Sequence, residues 1–135
     1  MNSMRQVSVR LRPGQDLRLE IEKVASREKL QAGCVVSLVG NVSHVVLRMA
    51  DGKTVKEWDG SYEIVSATGT ISPEESHIHI AVSDQEGRVI GGHLKKGSIV
   101  GVTCELVPLA FDDVVYGREY EASTGYDMLV VKPTE

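Results

Sequence analysis

Two short apolar runs around a glycine turn constrain this chain more than any other stretch. Ser76-His77-Ile78-His79-Ile80-Ala81-Val82-Ser83 is followed by Asp84-Gln85-Glu86-Gly87, and Val89-Ile90-Gly91-Gly92-His93-Leu94 returns. Alternation of apolar and polar residues marks half-buried strands. Asp84 suits the opening of a three-residue hairpin loop, and Gly87 suits the left-handed position that ends one. With Gln85-Glu86-Gly87 as the loop, Val82 pairs with Ile90, Ile80 with Gly92 and Ile78 with Leu94. Those residues make an apolar face for a core. The other face carries His77 and His79, with His93 directly across from His79. A slip of one residue would mix isoleucines and histidines on both faces, so the pattern itself selects this register. A bulge at Gly91-Gly92 is the feature that would move His93 out of line.

Three of the four histidines in the chain therefore share one face. In that register the Cβ atoms of His79 and His93 lie about 5 Å apart, with His77 about 7 Å along the strand. Neutral imidazoles on a rigid sheet fit zinc, and fit other first-row divalent metals with less selectivity. Three protein ligands leave a fourth position open for water or for a ligand's oxygen. A bare His-x-His on a strand is as readily a half-exposed pair with no ligand. The cross-strand His93, with small Ala81 and Gly91 beside it, turns the pattern into a metal expectation: His77, His79 and His93 as the ligand set, no catalytic residue assigned.

The rest of the chain bounds what can surround such a site. At 135 residues, 41% hydrophobic and 25% charged, it reads as a single domain over 1–135 with a core from about residue 7 to 131. No apolar run reaches membrane-spanning length and the N-terminal residues lack a signal-peptide pattern, so a cytoplasmic protein is expected. Cys34 and Cys104 each sit in an apolar run and read as buried free thiols. The net charge is −4, basic residues are scattered, and aromatic residues are 4% of the chain. That composition argues against a phosphate-neutralising groove or a base-stacking platform.

Gln6–Leu11 reads as a first strand, broken by Pro13-Gly14. From Asp16 to Ala32 the pattern turns helical, with Leu17, Ile21, Val24 and Ala25 on one stripe, Asp16 or Gln15 at the N-terminus and Gly33 as the stop. Leu19 and Leu30 lie off the stripe, either exposed or facing another subunit. Strands follow at Cys34–Val39, Val42–Met49, Lys53–Trp58 and Tyr62–Thr70, with Gly40-Asn41, Asp51-Gly52 and Asp59-Gly60 as interruptions. After the histidine hairpin come Ile99–Leu109, a less regular Phe111–Glu121 and a closing strand Tyr126–Val131. One main helix packed on a mostly antiparallel β-sheet makes the class α+β.

Three other residues are candidates for the site. Glu63 is a carboxylate that could support a histidine or act as a base for bound water, although its alternation with Tyr62 and Ile64 equally makes it an exposed strand residue. Arg48 and Arg118 suit an anionic ligand, since guanidinium groups bind carboxylate and phosphate bidentately; surface ion pairing explains them equally. His44 reads as an ordinary partly buried histidine rather than a fourth ligand, and Trp58 as packing.

Several phrases in order along the chain carry a family resemblance: Arg12-Pro13-Gly14-Gln15-Asp16-Leu17, Ala32-Gly33-Cys34-Val35-Val36-Ser37-Leu38-Val39-Gly40, Leu47-Arg48, Tyr62-Glu63-Ile64, Gly69-Thr70-Ile71 and Gly87-Arg88-Val89-Ile90-Gly91-Gly92-His93-Leu94. Together they resemble the PPC domain, the plants-and-prokaryotes conserved domain, in its stand-alone bacterial form, from about Val7 to Val131. The resemblance implies one helix against an antiparallel sheet, a homotrimer and a histidine-bound metal, zinc where identified, carried over here onto His77, His79 and His93. The same family includes the domain of plant AT-hook nuclear proteins. There the minor-groove contact belongs to a separate Arg-Gly-Arg-Pro hook, which this chain lacks.

Three functions follow as expectations. One is a metal-dependent protein that binds a small ligand or water at the open position, with or without catalysis. The second is a DNA-binding or DNA-associated regulator, with direct contact disfavoured by the charge balance and the missing hook. The third is a structural trimer whose metal only stabilises the hairpin.

Overall fold

The computed structural model describes residues 3–134. Strands β1 (Met4–Gln6) and β2 (Val9–Leu11) lead into α1 (Leu17–Arg27), the one helix among the described residues. They are followed by β3 (Gly33–Arg48), β4 (Val55–Ile71), β5 (His77–Ser83), β6 (Val89–Leu94) and β7 (Ile99–Phe111). A last pair, β8 (Val114–Glu121) and β9 (Tyr126–Pro133), forms its own two-stranded sheet. The main sheet runs β1-β7-β3-β4-β5-β6, with β2 also on β7, and every pairing is antiparallel. This is the α+β architecture expected from the sequence.

One further pairing changes the shape of the sheet. The end of β3 bonds to β6, Leu47 opposite Leu94 and Arg48 opposite His93, so β3, β4, β5 and β6 close on themselves. Val42, Val45, Leu47, Ile78, Val82 and Leu94 point inward and are fully buried. Closure requires β6 to come close to β3. A Cβ on Gly92 would stand 2.8 Å from the Arg48 carbonyl oxygen and 3.1 Å from the Leu47 Cβ, so only glycine fits there.

The helix buries the stripe Leu17, Ile21, Val24 and Ala25. Asp16 caps it: one carboxylate oxygen accepts from the Leu19 N–H at 3.0 Å and the other from the Gly97 N–H at 2.8 Å. The cap thus also ties down the β6–β7 turn. The helix ends at Arg27, well before Gly33. Lys29 takes the left-handed position itself, at φ 55°, and the Leu30 N–H returns to the Ala25 carbonyl while the Leu30 side chain is buried. A Schellman-type end anchored by an apolar residue replaces the expected glycine stop. Gly33 instead starts β3, where a Cβ would collide with the Leu109 carbonyl.

Other expected boundaries also move. Gly40-Asn41 does not interrupt β3; Gly40 lets the strand pass against the β7 backbone at Thr103 and Cys104. Asp59-Gly60 is not a turn either. The register between β3 and β4 steps from Val42↔Tyr62 to His44↔Asp59, one extra residue on β4, which is a bulge within a continuous strand. Gln6–Leu11 splits into β1 and β2, and the stretch read as irregular after Phe111 is the regular strand β8. Leu30 belongs to the core, and Leu19 is 36% exposed.

Arg18 is the buried charge that holds the histidine-bearing strands. Its guanidinium, on a residue only 6% exposed, donates to the Ser76 carbonyl at 2.5 Å and to the Leu94 carbonyl at 3.1 Å, and its Nε meets Glu22 at 3.3 Å. The β5–β6 ladder stops at the pair His79↔His93. Beyond it Ser76 precedes His77 and Leu94 follows His93, and Arg18 spans the two. Arg18→Met is therefore expected to lower the unfolding free energy by about 2–4 kcal/mol, because two buried carbonyls lose their donor. Urea unfolding checks this, and an unchanged midpoint removes Arg18 from the role.

Candidate metal centre

The hairpin closes in the expected register. His79 faces His93, Ile80 faces Gly92, Ala81 faces Gly91 and Val82 faces Ile90, with no bulge at Gly91-Gly92. Asp84 accepts from the Glu86 and Arg88 N–H groups, each at 2.9 Å, and Gly87 takes φ 82°. Ile78, Ile80 and Val82 fill the core face, which leaves His77 and His79 on the other face. The one expected pair that does not form is Ile78 with Leu94. Leu94 is drawn away to Leu47 of β3, where the strands close.

The three rings converge. Their centroids are 4.7 Å apart for His77–His79, 5.2 Å for His77–His93 and 5.5 Å for His79–His93. One nitrogen from each lies within 4.8 Å of the others, and the Nε2 atoms of His77 and His79 are 3.0 Å apart. In a tetrahedral site with nitrogens about 2.0–2.1 Å from zinc, nitrogens sit roughly 3.3 Å from one another, so small ring rotations would bring this set onto a metal.

The electrostatics favour neutral rings at His77 and His93. Burial first, then Arg48 and His77, push His93 down to about 3. Burial, then His79, Arg118 and Arg48, also lower His77. A neutral imidazole has a free lone pair, and His93 has an Nδ1 that is buried with no hydrogen-bond partner. A buried ring nitrogen without a partner, on a ring packed against two other imidazoles, fits a metal-ligating role. Among the described residues, these three histidines are the one group of His, Cys, Asp and Glu so placed that they could hold a metal ion.

The other candidates separate clearly. Arg48 stands beside the centre: it is the Cα partner of His93 on the side opposite His79, so His79, His93 and Arg48 form a row across β5, β6 and β3. Arg118 of β8 lines the same cleft, its Nη2 3.4 Å from the Glu75 carbonyl oxygen and its Nη1 3.4 Å from the Asp127 carbonyl oxygen. Among the described residues neither arginine makes an ion pair, and both have a buried Nε without a partner. Glu63 does not reach the histidines. It is exposed, faces Asn41 and Ser83, and lines a different depression, four residues along β5 from His79 or roughly 13 Å at a strand's rise. His44 turns outward, its Nε2 2.8 Å from Glu57 and its Nδ1 3.1 Å from Asp59, and those carboxylates raise its pKa. With both ring nitrogens engaged it has none left for the cluster. Trp58 packs against the core, and Cys34 and Cys104 are free thiols, the latter pushed up to about 11 by burial.

A cleft of about 980 Å³ opens over the histidines. Glu75, Arg48 and Met49 line it, together with Arg118, Tyr120, Tyr126, Asp127, Met128 and Leu129 of the β8–β9 hairpin. Sequence reading missed this wall and missed Arg18. A two-stranded hairpin folding back over another carries no local signal beyond the turn glycine Gly125, and Arg18 is one polar residue beside an apolar stripe.

Known proteins share this chain and this fold. A 124-residue stretch is 39% identical to part of the bifunctional protein GlmU of Synechococcus sp. (strain JA-3-3Ab), covering 92% of this chain and 20% of that one. The AT-hook motif nuclear-localized protein 13 of Arabidopsis thaliana is 26% identical over 129 residues, 87% of this chain and 28% of the plant protein. The chain thus spans between a fifth and just over a quarter of the curated relatives it matches. A hypothetical protein of Salmonella superposes with a TM-score of 0.94 at 30% identity, covering 98% of this chain and 96% of that one. A metal-containing protein of Archaeoglobus fulgidus superposes with a TM-score of 0.81 at 26% identity over 93% of each chain. The profile of the Plants and Prokaryotes Conserved (PCC) domain matches residues 1–112, up to the foot of β8, and the chain belongs to that family.

Proposed function

We propose that this protein binds one divalent metal ion, zinc by preference, through His77, His79 and His93, and presents the open fourth position to a small ligand or water in the cleft above. The observation that carries this reading is the convergence of three ring nitrogens, one from each histidine, within 4.8 Å of one another. The metal-containing relative from Archaeoglobus supports it. A bound zinc would act there as a Lewis acid toward a carbonyl or as the source of an activated water. This chain's own residues favour neutral rings at His77 and His93 and hold the set in place: the core face of β5 orients His77 and His79, and Arg18 pins the backbone beside His77 and His93.

The proposal extends to assembly and location. A homotrimer is supported by apolar surface on β3 and β7, where Val39 is 53% and Val102 is 68% exposed along one depression. No helix among the described residues is long and apolar enough to cross a membrane, and two free thiols suit the cytoplasm.

A DNA-associated role is the second reading, favoured by the plant nuclear relative. A net charge of −4 weighs against direct contact, so the association would run through a partner. A band shift of DNA at low salt that fades as salt rises would reverse that order.

Protein purified without chelator is expected to carry about one metal ion per chain, and His79→Ala is expected to lose it. Elemental analysis of both decides the matter; equal metal in the two ends the proposal. The pH dependence has a definite sign. His77 and His93 have lowered pKa values, so protons displace metal from them only below the ordinary histidine value of 6.5, and binding present above that pH is lost as the solution becomes more acidic. Metal retention at pH 6.5 with release in stronger acid is the expected titration, read by a chromogenic chelator. Sedimentation velocity is expected to give a mass of three chains, reduced by Val102→Asp; a monomeric wild type removes the trimer.

A further inference from the structure

We propose that the cleft over the histidines takes a small organic carboxylate with an apolar or aromatic body, its head group held between Arg48 and the metal's open position. This rests on the metal reading and adds to it the chemical class of the ligand.

The placement of Arg48 is the first argument. Directly paired residues on neighbouring strands point to the same face, so the Arg48 side chain rises from the sheet beside His93 with Cβ atoms about 5 Å apart. Its guanidinium has no hydrogen bond and no ion pair among the described residues, yet its Nε is cut off from solvent. A half-buried guanidinium without an acceptor costs free energy that a bound anion would recover. Arg48 lines the same cleft as His77, His79 and His93. Arg118 of β8 lines the same cleft with the same unpartnered Nε.

The geometry of the head group follows from the groups present. Glu75 and Asp127 line the same cleft. These two carboxylates offset the two guanidiniums, so the net positive charge an anion meets there is the metal's own. A carboxylate, with one charge and planar geometry, matches one guanidinium fork and one metal-bound oxygen.

The body of the ligand follows from the far wall. Met49, Tyr120, Tyr126, Met128 and Leu129 line the cleft beyond the arginines, and Tyr120, Tyr126 and Leu129 are 65%, 47% and 39% exposed. Large apolar side chains left open above a polar floor are how small-molecule sites are built, and about 980 Å³ is at the upper end of such clefts.

Cobalt(II) gives the test a readout independent of catalysis, because its visible absorption reports what fills the open position. The wild type, Arg48→Met and Arg48→Lys are loaded with cobalt, their metal content is measured, and each is titrated with benzoate, acetate and inorganic phosphate. Expected are equal cobalt in all three proteins and a saturable spectral change with benzoate at least about tenfold tighter than with acetate. Benzoate binding should be about tenfold or more weaker in Arg48→Met, with Arg48→Lys between, because the charge survives without the fork. Cobalt bound but blind to benzoate, or equal benzoate affinity in wild type and Arg48→Met, overturns the carboxylate assignment and leaves the metal reading standing. Phosphate binding tighter than benzoate overturns it as well. A wild type that takes up no cobalt sinks the metal reading and this one together.

Discussion

Strand β6 pairs along one edge with β5 and along the other with the last residues of β3, and most of what is distinctive here depends on that closure. An open sheet would present β6 as an edge, with His93 at the margin of the molecule and free to slip in register. Pairing Leu94 with Leu47 and His93 with Arg48 fixes β6 from both sides. The alternation that sends Leu47 and Leu94 into the core must then send Arg48 and His93 outward together. A buried leucine pair thus determines where a histidine and an arginine meet. Gly92 is what permits it, since any side chain there would hold the two backbones apart. Arg18 supplies the donors that the ladder lacks once β5 and β6 part beyond His79 and His93.

That rigidity bears directly on acid–base state. A histidine on a mobile loop would stay hydrated and titrate near its ordinary value. His93 is 9% exposed and lies among Arg48, Arg18 and two further rings, so a proton on it is opposed by lost hydration and by neighbouring charge. Metal and proton compete for one lone pair, and the fold excludes the proton. Arg48 has two roles in this picture. Its charge disfavours a protonated ring, and its unpaired fork invites an anion, which in turn would offset the charge of a metal beside it.

The hairpin was legible from the sequence because every level agreed. Turn chemistry at Asp84 and Gly87, strict alternation from His77 to Ser83, and small residues at Ala81 and Gly91 all specify one register. The helix stripe was legible for the same reason. What failed were boundaries, and each failure has a tertiary cause. Gly33, Gly40 and Gly60 look like punctuation, but the first two serve close backbone approach to β7 and the third accommodates a bulge. The actual helix stop, Lys29 in a left-handed conformation, is invisible to propensity because it depends on Leu30 finding the core. Glu63 alternated correctly with its apolar neighbours, yet no local pattern says how far along a strand a residue lies from a site on the next one. Arg48 could be named but not placed, since its neighbour is 45 positions away and becomes a neighbour only when the sheet closes.

The cleft has two walls of different origin. The histidines and Arg48 come from the closed strands, which lie within the 1–112 stretch shared with the family. Arg118 and the apolar wall come from β8 and β9, beyond that stretch. A lone two-stranded hairpin is marginal in water, so β8–β9 depends on what it touches. The Tyr116 N–H donates to the Gln31 carbonyl at 2.9 Å, the Arg118 N–H donates to a Glu74 carboxylate oxygen at 3.0 Å, and the Tyr126 hydroxyl stands over Gly52 where no side chain would fit. Glu74 and Glu75 lie on the loop leading to His77, so the hairpin is anchored to the segment that delivers the first of the three rings. The two walls are then mechanically joined but chemically distinct. On the proposed reading the floor would hold the metal, and the hairpin could change its apolar lining without disturbing a single imidazole. On this division, ligand preference would vary between relatives through residues equivalent to Tyr120, Tyr126, Met128 and Leu129, while the chemistry at the floor stays constant.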